Sequence, residues 1–266
     1  MKNGFPNRRH LLRIAATLPF FSGLWPAAPV PARAAAALRP RSRVRPGDPA
    51  WPSEARWQQL GQAVGGRLVK VRSPLAPCLE APAEPTCTQL FQGKELKNPY
   101  FLGDEVGLTQ TLGWVDAWTS APSVYAVVAR GTDDVVAAVN FARENDLRLV
   151  VKGGGHSYQG TSNAPDSLLV WTRQMDGITL HDAFVGTGCA GRAAPQWAVT
   201  VGAGAFWEQV YDAVSTRAGG YVQGGGCMTV GVAGLVQSGG FGSFSKAYGL
   251  AAASLLEAEV VTADGV

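Results

Sequence analysis

Histidine is scarce in this chain, with 3 in 266 residues, and cysteine nearly so, with 4. No C-x-x-C pair and no His/Cys cluster of zinc spacing occurs, so no metal site is expected. The apolar stretch "IAATLPFFSGLWPAAPV" is broken by Pro19, Pro26 and Pro29 and is short for a bilayer, so no stable membrane span is expected. No repeat of solenoid spacing is found. Charged residues make up only 16% against 46% hydrophobic, which excludes a disordered chain and suits one large or two modest domains with a real core.

No acidic residue precedes position 35, whereas Lys2, Arg8, Arg9 and Arg13 lead into the apolar stretch and "PARA" offers Ala32 and Ala34 to a peptidase. Residues 1–34 are therefore expected to be a targeting segment. "NRRHLLR" resembles the twin-arginine export signal of bacteria, which implies the twin-arginine export machinery as a partner and a periplasmic or extracellular location. An ordinary Sec signal or an uncleaved basic tail is the alternative. Without this segment the balance of basic to acidic residues falls from 23 versus 20 to 18 versus 20, so a nucleic-acid partner has no support. Residues 35–53, rich in Pro and Arg, read as a flexible leader. Export permits disulfides, and Cys78 and Cys87 flank a short Pro-rich loop that a bond between them could close.

Residues 54–115 read as an accessory region opening with a helix over 54–65 and a strand over 67–71. A second unit, 116–266, has strand 123–129, a helix capped by Thr132 with Asp133 and Asp134 in its first turn, and strand 148–152. Val135, Val136, Val139 and Ala142 fall on one face of that helix. Strands 167–171, 177–181 and 198–201, a helix over 205–217, and a buried strand and turn in "LLEAEVVTADG" complete an α/β order. A chain ending on such a strand is expected to be a fragment of something longer.

Three segments concentrate glycine. "VTVGAGAFWEQVYDAV" half-matches the dinucleotide fingerprint, but Trp207 stands at its third glycine and Val222 and Gln223 stand where an acidic residue is needed, so a tight turn into a helix is expected. "KGGGHSYQG" can aim successive backbone N–H groups at one diphosphate, with hydroxyls from Ser157 and Tyr158. Alone it would also suit an exposed turn bearing a surface His156. "QGGGCMTVGVAGLVQSGGFGSFSKAYG", residues 223–249, is a second such cradle and carries Cys227, and two cradles suggest a ligand with two ends.

"VVKGGGHSYQG", "GGGCMTVGVAGLVQSGGFGSFSKAYGL" and "EAEVVTADG" together resemble the flavin-binding module of the vanillyl-alcohol oxidase superfamily, and within it the berberine-bridge-enzyme-like oxidases. The resemblance implies an α+β fold, a PCMH-type FAD-binding domain of two α/β subdomains over 116–266 that ends before the substrate domain. It implies FAD as cofactor, attached through His156 to the flavin 8α-methyl carbon and through Cys227 to ring C6, bonds that an imidazole and a thiolate can make. It also implies that Gly153, Gly154, Gly155, Ser157, Tyr158 and Gly160 hold the diphosphate. Gly226, Thr229, Val230, Gly231, Gly234, Gly239 and Gly240 would line the flavin and its phosphates, with Val261 near the adenine. Lys152 stands where many relatives have arginine, keeping the charge without the bidentate fork.

The implied reaction is oxidation of an alcohol, such as a sugar, oligosaccharide or secondary-metabolite hydroxyl, with hydride transfer to the flavin and reoxidation by molecular oxygen or another acceptor. No residue in 1–266 is identified as the catalytic base, which the family takes from its C-terminal portion. A catalytically incomplete FAD-binding module, or a dehydrogenase with singly attached or unattached FAD, is the alternative. A Cys189–Cys227 disulfide would exclude a cysteinyl flavin.

Overall fold

The computed structural model describes residues 42–80, 85–93 and 95–266, so the expected targeting segment and the start of the leader lie outside the described residues. Helix α1 (Glu54–Ala63) begins after Ser53, whose hydroxyl accepts the Arg56 N–H at 3.4 Å, and strand β1 (Leu68–Lys70) follows. Three short helices, α2 (Ala76–Glu80), α3 (Pro85–Gln92) and α4 (Pro99–Asp104), lead to a hairpin of β2 (Gly113–Trp114) and β3 (Trp118–Thr119). The expected bond between Cys78 and Cys87 is present and ties α2 to α3.

Strand β4 (Tyr125–Val128), helix α5 (Thr132–Glu144), β5 (Arg148–Lys152) and β6 (Ser167–Trp171) complete a four-stranded sheet in the order β1-β4-β6-β5. The last three run parallel, and β1 is antiparallel at the edge. Every residue of β6 is buried, as its apolar run requires of a strand flanked by neighbours and covered on both faces. Alternate side chains divide between the faces. Val127, Leu168 and Val170 meet Trp57, Leu60, Ala138, Phe141 and Ala142 from α1 and α5, while Ala126, Val128, Leu169 and Trp171 meet Val69, Val71 and Val106. Burial of one such side chain as large as Phe141 is worth about 2 to 3 kcal/mol.

A second, smaller core sits under the antiparallel pair β7 (Ile178–Phe184) and β8 (Gln196–Val201). Helix α6 (Trp207–Tyr211), continuing as a wider π turn over Asp212–Arg217, and α7 (Val232–Gln237) pack Trp207, Val210, Val214 and Val232 onto Ile178, Val199 and Val201. Helix α8 (Ser245–Tyr248) lies beyond.

Several expectations change. Thr132 is the first residue of α5 rather than its cap, which is Gly131; the buried carboxylate of Asp134 holds that end instead, accepting Arg130 N at 2.9 Å and pairing with Arg67 at 2.5 Å. The deepest face of α5 is Ala138, Phe141 and Ala142 rather than Val136 and Val139, because α1 sets Trp57 against Phe141 with ring centroids 4.8 Å apart. The leader is docked from residue 43 onward: Val44 bridges Leu147, and Trp51 lies 5.5 Å from the Trp57 ring. No break in the core falls at 115/116, since β1 and α1 share the sheet and core of β4. Residues 255–261 are extended but largely exposed and join no ladder among the described residues, so the expected buried strand is absent there. A strand is buried only when neighbours supply its hydrogen bonds and cover its faces.

Candidate functional site

Strand β5 delivers the first glycine loop. Residues 228–232, leading into α7, run antiparallel to 205–208, with Trp207 N donating to Val230 O, Glu208 N to Met228 O, and Phe206 bridged to Gly231. This ladder presses the second loop onto the first. A Cβ on Gly154 would lie 2.5 Å from Thr229 O and 2.9 Å from Gly231 N, and one on Gly231 would lie 2.9 Å from Gly154 N. Two backbones approach this closely only without side chains. Gly153 packs more loosely, 3.4 Å from Ala203 O by the same measure.

The loops carry His156 and Cys227 to one hydroxyl. His156 Nε2 is 3.0 Å from Thr229 Oγ1, and Cys227 Sγ is 3.9 Å from the same atom. Thr229 is buried, and Cys227 is exposed and free, as is Cys189, so the alternative disulfide is not formed. Burial lowers the His156 pKa below the usual histidine range, with the contact to Thr229 working the other way, so the ring is neutral at neutral pH.

Other expected site residues have their own partners. All three ammonium protons of the buried Lys152 go to carbonyls of Glu105, Val106 and Leu108, at 2.8, 2.8 and 2.9 Å. Its ammonium group thereby clasps the 105–108 segment. Burial draws its pKa down to about 7, with the charge of Glu105 working the other way. Ser157 Oγ accepts Gln159 N and Thr161 N, closing its own turn. Tyr158 is exposed, with its carbonyl bonded by Trp118 Nε1 at 3.0 Å and its ring edge-on to Trp114. Gly160, at φ +71°, leaves room for the Trp118 ring, 2.7 Å from where a Cβ would stand.

Gly226 and Gly234 face open space. Gly239 and Gly240 form a left-handed turn whose carbonyls accept Ala252 N and Ala251 N. Val230 joins the smaller core. Val261 lies in a separate stretch whose Glu259 accepts a hydrogen bond from Thr132 at the start of α5. The glycines of the half-matched fingerprint, Gly202 and Gly204, pack against the backbone of 172–177, consistent with a tight turn.

Sequence reasoning missed a contribution from the N-terminal region. Tyr100 Oη donates to Glu208 Oε2 at 2.5 Å and lies 3.9 Å from Met228 Sδ, next to Cys227. Its pKa is raised first by that hydrogen bond. Trp114 and Trp118 brace the first loop from the same region; the crowding of aromatics in "LGWVDAWTS" was the available signal. Two clefts of about 420 and 340 Å³ lie elsewhere, lined by ion-paired Arg67 and Asp134 and by Arg173, Asp104 and Asp176, and include no residue of either glycine loop.

These residues fit FAD. The N–H groups of buried Gly154 and Gly155 have no acceptor among the described residues, and buried donors of this kind call for an anion or another acceptor. The His156 imidazole and the free Cys227 thiol meet at Thr229, whose carbonyl packs against Gly154.

Comparison with known proteins agrees. The model of the FAD binding domain family matches residues 123–266. A FAD-linked oxidoreductase of Malbranchea aurantiaca is 34% identical over 244 residues, covering 84% of this chain and 41% of that protein. A bifunctional decalin synthase of Penicillium decumbens is 36% identical over 240 residues, covering 84% and 40%. The chain thus spans about two fifths of the length of these relatives. Among solved structures, a VAO-type flavoprotein of Myceliophthora thermophila C1 superposes with a TM-score of 0.72 at 29% identity, covering 84% of this chain and 43% of that one. A second from the same organism, at 24% identity and a TM-score of 0.73, shares the fold. The α+β, PCMH-type fold and FAD as cofactor are therefore as expected, and the chain belongs to the FAD binding domain family.

Proposed function

We propose that this chain is the FAD-holding part of an oxidoreductase that oxidises an alcohol, with a sugar, oligosaccharide or secondary-metabolite hydroxyl as substrate and oxygen as final acceptor. The observation that carries this reading is the convergence of His156 and Cys227 on Thr229 beside two glycine loops in backbone contact. FAD, when bound, supplies the acceptor for a hydride. The chain's residues hold and orient it. Backbone N–H groups of Gly154 and Gly155 would take the diphosphate, and Gly226 and Gly234, open on the protein side, would let the cofactor lie close.

His156 and Cys227 are the proposed attachment points. Thr229 occupies Nε2 of His156, which leaves Nδ1 as the nitrogen for the bond. Identity above 30% to FAD-linked oxidoreductases supports the oxidoreductase class. The test uses a polypeptide containing this chain, loaded with FAD and mixed without oxygen with a panel of sugars and other alcohols. Loss of the oxidised FAD absorbance with one of them, and its return on admitting oxygen, is the expected outcome; unchanged absorbance with every alcohol contradicts the proposal.

A further inference from the structure

We propose that Thr229 relays the thiol proton of Cys227 to His156, so that the two residues are chemically coupled before either meets a ligand. The inference rests on the reading of Cys227 as a nucleophile toward FAD. Its basis is one buried hydroxyl within hydrogen-bonding distance of both groups, 3.0 Å from Nε2 and 3.9 Å from Sγ. A hydroxyl donates one proton and accepts another, so a single Thr can stand between a donor and an acceptor.

The step balances without a co-reactant. The S–H bond breaks as its proton passes to Thr229 Oγ1, and the proton of that hydroxyl passes to Nε2. The products are a thiolate and an imidazolium, with no net change in charge and none in oxidation state. His156 can receive the proton at Nε2, which faces the Thr229 hydroxyl; burial disfavours the imidazolium, and the thiolate formed with it offsets that penalty by its opposite charge. The thiolate that remains accepts a hydrogen bond from the re-formed Thr229 hydroxyl. The thiolate is the reactive form of cysteine, so the relay arms Cys227.

Tyr100 is electrostatically coupled to Cys227, and its hydroxyl is bonded to Glu208 beside Met228. Glu208 is the competing base, and the closing experiment separates it from His156. A bond made through Nδ1 of His156 leaves Nε2 unshared, so attachment at His156 keeps the relay in being for Cys227.

The experiment measures the rate at which iodoacetamide alkylates Cys227 at neutral pH in the FAD-free 266-residue chain, with Cys189→Ser so that one free thiol remains. Thr229→Val and His156→Gln are each expected to slow alkylation by roughly tenfold or more, as loss of general-base assistance does. Thr229→Ser restores the rate, and the double variant Thr229→Val/His156→Gln is no slower than either alone, because both remove one pathway. Urea-unfolded samples of all variants alkylate alike, which excludes a difference in the thiol itself. An unchanged rate in Thr229→Val, additive losses in the double variant, or slowing by Glu208→Gln in place of His156→Gln overturns the relay. FAD that never attaches to Cys227 in wild-type protein, with the alkylation pattern intact, overturns only the flavin reading.

Discussion

Gly154 is the residue on which the two loops depend most directly. Its missing Cβ would stand 2.5 Å from Thr229 O, so Gly154→Ala must push residues 229–231 away and separate His156 from Thr229. Overpacking of this kind costs about 1 to 3 kcal/mol. The expected outcome is a lower urea midpoint and weakened FAD binding, measured by quenching of FAD fluorescence. Gly226→Ala, which meets nothing within 4 Å, leaves the midpoint unchanged while weakening FAD binding if the cofactor lies where proposed. The glycine loops, His156 and Cys227 stand out in the sequence because the chemistry expected of them is local: an N–H cradle and a nucleophile need only a few adjacent residues. The partners of Lys152 do not, because the three carbonyls it meets lie 44 to 47 residues away in the chain.

Strand β5 is tied by that lysine to the segment that runs from α4 to β2. Gln110 N also donates to Gly155 O at 3.0 Å, so the segment rests on the first glycine loop itself. Because burial sets the folded-state pKa of Lys152 near 7, below the ordinary 10.5, the folded chain binds fewer protons there than the unfolded chain between those values. Its contribution makes stability rise with pH through that window, and below about 7 the burial penalty stands in full. Lys152→Met removes this slope and takes the lysine donor from the Val106 and Leu108 carbonyls, while Glu105 O keeps Leu108 N, at a cost of about 1 to 3 kcal/mol for each orphaned carbonyl. Urea midpoints at pH 7 and pH 9, with free thiols blocked, read both effects. Strands β5 and β6 could be read from periodicity and an apolar run, whereas the stretch 255–261 has the same strand-like pattern and no ladder. Pattern states what a segment could bury, and pairing is decided by residues far away in the chain.

In the molecule as a whole, the N-terminal region packs against both glycine loops. Tyr100 reaches Glu208 beside Cys227, Trp114 and Trp118 support the loop of His156, and β1 completes the sheet behind it. None of these long-range contacts is visible in local sequence, which is why a boundary at 115/116 looked reasonable there. They bring the two glycine loops into one surface suited to FAD, and the account turns on whether His156 and Cys227 both attach to it. The direct measurement is the mass and absorbance of the protein after denaturation in acid. The expected result is a yellow protein heavier by one FAD. The attachment should survive in His156→Ala or Cys227→Ala alone and be lost when both are changed. Wild-type protein that releases all its FAD on denaturation, or that contains a Cys189–Cys227 disulfide, would contradict it.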